Sequence, residues 1–277
     1  MTNEIFSNQY FFIVLLMVPT AIVAGFFAGL FGIGGGLITV PFLYFIFDLL
    51  NIDSSYLMHL AVGTSFAIII PTSLVSVITH KKHNSVNVEI IRSYGVFVIT
   101  GVLIGTVLAA NLETKSLLLF FSIVVFCLGG YLLNLKERTS KINPNFNIKP
   151  KIILGFISGF ISAPMGIGGA VMNVPILRYF GYPINKAIGS AAAIGFIIAF
   201  FGALGFFVSG FFLKANLPFS LGFINIPAFL IFIPITMFMA RVGANTSNKI
   251  NKSKLQRFFG IFLYVIGTIF IYRYLNI

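Results

Sequence analysis

Gly25-Phe26-Phe27-Ala28-Gly29-Leu30-Phe31-Gly32-Ile33-Gly34-Gly35-Gly36-Leu37-Ile38-Thr39-Val40-Pro41 decides the fold, because its pattern returns at residues 155–175. Gly25-Phe26-x-x-Gly29 matches Gly155-Phe156-x-x-Gly159, Gly32-Ile33-Gly34-Gly35 matches Gly166-Ile167-Gly168-Gly169, and Val40-Pro41 matches Val174-Pro175. Further along, Ala61-x-Gly63-Thr64 matches Ala187-x-Gly189-Ser190, Gly105 matches Gly243, and Gly129 matches Gly267. Glycine and proline recur in any membrane protein, but the preserved order across two halves indicates an internal duplication.

The duplicated pattern lies in a strongly apolar chain. Of 277 residues, 58% are apolar and 9% charged, against about 25% charged in an average soluble domain. So few charges cannot cover a water-facing surface, and the lipid bilayer must solvate the chain. A soluble enzyme, a nucleic-acid module and a disordered protein are thereby excluded. The net charge of +12 comes from Lys and Arg in short segments between apolar runs, the pattern of a polytopic membrane protein rather than of a nucleic-acid binder. The single cysteine, Cys127, allows no internal disulfide and no zinc cluster. Neither a metal nor a cofactor is called for. Residues 1–9 contain Glu4 and no Lys or Arg, and no cleavage site follows a short apolar core, so the N-terminus is read as leading into a span rather than as a signal peptide.

A crossing helix needs about 20 apolar residues. Clear candidates are 59–79, 94–111, 117–135, 187–212, 223–240 and 257–275. The stretches 11–50 and 152–180 are apolar but broken by the glycine motifs. The polar segment 136–150 is read as a cytoplasmic linker between a first transmembrane repeat, 1–135, and a second, 151–277.

Lys and Arg tend to lie on the cytoplasmic side of a membrane. If each broken stretch crosses once, the repeats are parallel and these residues divide 10 inside to 8 outside. If each broken stretch is a hairpin returning to its own side, the repeats are inverted. Only Lys115, Lys214 and Arg273 are then outside, a split of 15 to 3. The expected fold is therefore all-α: a polytopic protein of the inner cell membrane built from two inverted repeats. Each repeat has a glycine-broken helical hairpin plus three transmembrane helices, and both termini lie outside the cytoplasm. Arms 152–163 and 170–180 are too short to cross straight and suit half-helices meeting near mid-bilayer, whereas residues 10–20 lengthen the first arm of the first half toward a full span. The number of crossings is thus expected between six and ten.

Unwound backbone at membrane depth is tolerated only where protein buries it or where it lines a polar cavity. Inverted-repeat transporters place such breaks at the repeat interface, with half-helix ends facing the substrate. A helix N-terminus carries free N–H groups and partial positive charge, and glycine lets a ligand approach closely. Second arms starting near Gly36 and Ala170 would present two such ends and bind an anion without a buried Lys or Arg, which costs about 2.5–3.5 kcal/mol at mid-membrane on insertion scales. The candidate substrate-binding residues are Gly32, Gly34, Gly35 and Gly36, Gly166, Gly168 and Gly169, and the neighbouring Thr39, Thr64, Ser65, Asn173 and Ser190. The alternative for the hydroxyl residues is helix packing, which is also the reading of Gly25-x-x-x-Gly29, Gly155-x-x-x-Gly159 and Gly101-x-x-x-Gly105. Pro41 and Pro175 are read as shaping their helices.

The paired glycine motifs followed by Val-Pro, with Ala61-Val62-Gly63-Thr64-Ser65 and Ala187-Ile188-Gly189-Ser190, resemble the TauE/SafE family of sulfite exporters and toluene-sulfonate-uptake-type permeases. The resemblance spans about residues 20–275. It implies a permease for small, often sulfur-containing anions such as sulfite or organosulfonates, acting in either direction. Strict symmetry is broken where Ala170 replaces a third glycine and where Ser162-Ala163-Pro164-Met165 is inserted before the second motif.

The expected function is a secondary transporter working by alternating access on a small anionic substrate. The alternatives are an anion channel and a permease for small carboxylates. A coupling proton or sodium ion and a homo-oligomer are both compatible with the sequence. No Asp or Glu falls within a clear span, so no carboxylate proton relay is evident. His59 and His80 border one span and are read as interfacial. An intramembrane serine protease needs a nucleophile beside a His base, and the zinc motif His-Glu-x-x-His is absent.

Overall fold

A computed structural model describes residues 2–32, 34–134, 148–246 and 252–276. In hydrocarbon every backbone polar group must be satisfied internally, and a continuous helix does this. The first half forms α1 (Thr2–Phe31), α2 (Gly36–Leu49), a 3-10 turn at Ser54–Tyr56, α3 (Leu57–Lys82), α4 (Val88–Ala110) and α5 (Thr114–Asn134). The second half forms α6 (Ile148–Met165), α7 (Ala170–Tyr179), α8 (Ile184–Phe212), a two-stranded hairpin of β1 (Ser220–Leu221) and β2 (Ile224–Asn225), α9 (Ile226–Thr246) and α10 (Lys252–Asn276). Among the described residues, eight helices are long and apolar enough to cross a membrane, all but α2 and α7. Large apolar side chains such as Val107, Leu204, Leu230 and Phe238 stand exposed on the outside, a surface that lipid covers and water does not.

The six clear spans appear as α3, α4, α5, α8, α9 and α10. Two boundaries differ from expectation. α9 starts at Ile226, because Ser220 pairs with Asn225 and Leu221 with Ile224 in an antiparallel turn. α6 starts at Ile148, with Lys149, Pro150 and Lys151 in its first turn. Proline fits there because first-turn N–H groups have no intrahelical acceptor. At 18 residues α6 can cross, which corrects the half-helix expected for that arm; α7, at 10 residues, is the short one. Residues 148–150 of the expected linker thus belong to α6, and its residues 136–147 lie outside the described residues.

Helices meet along glycine seams. α1 runs parallel to α9, with Gly25 against Thr236 and Gly29 against Ala240 and Ala244. α4 runs parallel to α6, with Gly101 against Phe156 and Phe160, and Gly159 against Val98 and Val102. A Cβ at Gly29 would overlap the Ala240 carbonyl, and one at Gly101 the Phe156 carbonyl. These x-x-x-spaced glycines therefore let backbones touch, as read from the sequence.

α3 and α8 cross the centre antiparallel. Gly63 faces Phe206, Phe66 faces Gly202, and beyond the end of α3 Ser85 meets Gly189. α5 and α10 are also antiparallel, with Gly129 against Gly260 and Gly267 against Phe126. At one end of the bundle Arg273 pairs with Asp48 at 2.9 Å, and the Thr114 hydroxyl donates to the Ser55 carbonyl at 2.7 Å. At the other end a His83 ring nitrogen lies 3.3 Å from the Asn245 side-chain oxygen.

Candidate functional site

Both glycine motifs end in a left-handed glycine that starts a short helix. Gly35 (φ +80°) precedes α2 and Gly169 (φ +66°) precedes α7. No L side chain adopts that backbone cheaply, so the turn requires glycine. The Gly35 carbonyl accepts from the N–H groups of Ile38 and Thr39, and the Gly169 carbonyl from those of Met172 and Asn173. The two helix starts are therefore alike in geometry. Pro41 and Pro175 occupy the same sixth position of their helices, removing the donors for the carbonyls of Leu37 and Val171.

The two breaks touch. The Cα of Gly168 lies 3.5 Å from where a Cβ on Gly34 would stand, and a Cβ on Gly36 would overlap the Gly166 carbonyl. The Ser65 hydroxyl on α3 donates to that same carbonyl at 2.9 Å and ties α3 to the second break. Gly34 packs on Ile69, midway along α3, and Gly168 packs on Gly195, near the middle of α8. The contact therefore sits at mid-depth of the two long central helices. α2 and α7, at 14 and 10 residues, span about 21 and 15 Å, so each leads from that depth toward one end of the bundle.

Gly32, Gly34, Gly35, Gly36, Thr39, Thr64, Ser65, Gly166, Gly168, Gly169, Asn173 and Ser190 are all buried. The structure is a closed one. Among the side chains described, residues 14–32, 34–134, 148–246 and 257–276, no Asp, Glu, Lys or Arg is buried, and neither α2 nor α7 has an acidic residue in its first turn. The N–H groups of Gly36, Leu37, Ala170 and Val171 have no partner among the described residues. The centre thus combines two positive helix ends with no side-chain charge.

The flanking polar residues divide into two groups. Thr64 and Ser190 perform one task at matched places. The Thr64 hydroxyl accepts from the Asn225 N–H at 2.9 Å, and the Ser190 hydroxyl from the Asn87 N–H at 2.9 Å. Asn225 in turn caps α9 through the Ala228 N–H, and Asn87 caps α4 through the N–H groups of Glu89 and Ile90. These hydroxyls anchor helix starts away from the glycine contact. The Thr39 hydroxyl bonds the Gly35 carbonyl within its own helix at 3.1 Å. Asn173 is different. Its side-chain oxygen accepts from the Tyr94 phenol and the Ser158 hydroxyl, both at 2.8 Å.

Tyr94, Ser158 and Ser162 were not singled out as site residues from the sequence. The i, i+4 serine pair on α6 was the available signal. His59, near the start of α3, is fully buried and packed against Tyr56 and Phe223. His80 is also buried, with a ring nitrogen 3.1 Å from the Gly29 carbonyl.

Among the described residues, eight apolar helices around two glycine breaks define a multi-pass membrane protein of a transporting class. The sequence matches the family described as Sulfite exporter TauE/SafE over residues 17–270, and the chain belongs to that family of membrane transporters, which are not enzymes. It is 33% identical over 261 residues to a probable membrane transporter protein of Haemophilus influenzae, covering 93% of this chain and 97% of that one. A probable membrane transporter protein of Methanocaldococcus jannaschii is 28% identical over 258 residues, covering 91% and 95%. The Bacillus subtilis probable membrane transporter protein YunE is 24% identical over 279 residues, covering 94% and 97%. No solved structure matches the chain.

Proposed function

We propose that this chain is a secondary transporter of the inner cell membrane that carries a small anion, sulfite or an organosulfonate, by alternating access. The anion rests between the two glycine breaks. The observation that carries the reading is the meeting of two short-helix N-termini at mid-depth, with N–H groups that have no partner, and no buried charge to compete, among the described residues. Each helix end contributes about 0.3–2 kcal/mol toward an anion. Two ends and several neutral donors together replace a membrane-buried cation.

In the same proposal the two halves, α1 to α5 and α6 to α10, are inverted copies joined by a cytoplasmic linker that ends before Ile148. Support comes from the antiparallel pairing of α3 with α8 and of α5 with α10, since each pair occupies corresponding places in the two halves. The closed contact at Gly34, Gly36, Gly166 and Gly168 is then the occluded state. Rocking of one hairpin against the other exposes it first to one side and then to the other.

The test is flux in sealed proteoliposomes with sulfite, methanesulfonate, sulfate and acetate, with and without proton and sodium gradients. Flux that saturates with concentration is expected. Linear, unsaturable flux at channel-like rates replaces the transporter with an anion channel, saturable flux confined to acetate makes the cargo a carboxylate, and no flux of any anion refutes the proposal.

A further inference from the structure

The polar contacts around the two breaks are unequal. On the second hairpin, Tyr94 and Ser158 both donate to the Asn173 side-chain oxygen, which leaves its amide nitrogen, Nδ2, turned elsewhere. Among the described residues that nitrogen has no partner, and neither has the Ser162 hydroxyl, although both residues are fully buried. Two unpaired donors in an apolar interior are costly, and buried polar groups are nearly always bonded. Both approach one point. A Cβ on Gly169 would stand 3.0 Å from Ser162 Oγ and 3.1 Å from Asn173 Nδ2. That point lies at the start of α7, where the Ala170 and Val171 N–H groups are unpartnered among the described residues. Cδ1 of Ile198 on α8 lies closer to that point than either polar atom does.

The first hairpin has no such cluster. Thr39 matches Asn173, but its hydroxyl bonds the Gly35 carbonyl. Ala28 matches Ser158 and brings no polar atom.

We propose that an oxygen of the transported anion is held on the second hairpin, by Ser162 Oγ and Asn173 Nδ2 above the N-terminus of α7, with Ile198 as an apolar cover that swings aside. The inference rests on the anion-transport reading and adds to it an asymmetric oxyanion cradle. Its neutral donors suit the acceptor oxygen shared by sulfite, sulfonates and carboxylates.

The test uses the full chain, purified, with calorimetric titration of the sodium salts of sulfite, methanesulfonate, sulfate, acetate and chloride. At least one oxyanion is expected to bind the wild type. Ser162→Ala and Asn173→Asp are expected to weaken that oxyanion by about ten- to a hundredfold, the loss of a hydrogen bond to a charged group. Thr39→Val is expected to leave affinity unchanged. Ser162→Ala removes a single oxygen, and a ligand-free melting temperature near the wild type shows that it folds. If Asn173→Asp does not fold, Ser162→Ala with Ile198→Ala decides. The second of these uncovers the cradle and is expected to bind at least as tightly as the wild type.

An oxyanion that binds the wild type, Ser162→Ala and Asn173→Asp equally overturns the cradle and leaves the anion-transport reading standing. Sodium binding that is independent of the anion and lost in Ser162→Ala also overturns it, because the unpaired group would then be an acceptor. No binding by any oxyanion, together with no flux, overturns both.

Discussion

Replacing Gly36 by alanine tests the contact between the breaks with the smallest possible change. Gly36 begins α2 with an ordinary helical backbone, so alanine brings no conformational strain there. Its methyl would overlap the Gly166 carbonyl and lie 2.8 Å from the Cα of Ile167. Both neighbours are backbone and cannot rotate away. The breaks must part by about 1 Å to restore ordinary van der Waals separation. Overpacking of a close-packed interior costs about 1–3 kcal/mol, which lowers the closed state roughly five- to a hundredfold against states with the breaks apart.

The matching residue in the other half, Ala170, already carries a fully buried methyl. Alanine is therefore acceptable at such a helix start, and the effect of Gly36→Ala reports what faces it. Purified Gly36→Ala is expected to insert normally, to melt below the wild type, and to slow uptake into proteoliposomes by about fivefold or more. Ala170→Gly, which removes a methyl from the matching site, is expected to change uptake far less. Wild-type melting and wild-type uptake in Gly36→Ala would refute the contact.

Other substitutions separate support from binding. Thr64→Val leaves the buried Asn225 N–H unpaired and Ser190→Ala the half-buried Asn87 N–H, so thermal melting should show a loss of about 1–3 kcal/mol for the first and a smaller one for the second, with anion affinity unchanged; a selective loss of affinity would put those hydroxyls at the cargo instead. Gly29→Leu drives a side chain into the Ala240 carbonyl and should abolish well-folded protein on size-exclusion chromatography, whereas a monodisperse variant would show that the α1–α9 seam can open. Arg273→Ala breaks a pair whose side chains are 40% and 33% exposed, so stability should fall by only about 0–1 kcal/mol, and by less at high salt; a larger, salt-independent loss in a melting series would contradict that.

Much of the fold was legible because membrane solvation leaves few options. The six apolar runs could only be helices, and their cores were placed correctly even where ends shifted. The glycine breaks were legible because order was preserved between halves, and the helix starts at Gly36 and Ala170 fall where the motifs put them. The start of α6 was hidden by Lys149 and Lys151, whose charges suggested a loop. In a first helical turn, such side chains can extend to the interface while the backbone stays helical.

Individual polar roles were less legible. Thr64 and Ser190 look like site residues beside matched glycines, yet their partners Asn225 and Asn87 are more than a hundred residues away in sequence. Tyr94 and Ser158 bind Asn173 from two different helices, a convergence that no local pattern encodes. His59 lies close enough to a span end to read as interfacial, but Tyr56 and Phe223 cover it.

Site-directed labelling at the break gives the most direct test of where the cargo sits. With the exposed Cys127 replaced by serine, Ala170→Cys places one thiol at the start of α7, and its reaction rate with a small methanethiosulfonate reagent can be followed in proteoliposomes. A transported anion is expected to slow that reaction saturably, with half-protection at the concentration that gives half-maximal flux. Labelling at the same rate with and without a saturating transported anion would contradict a cargo site between the two glycine breaks.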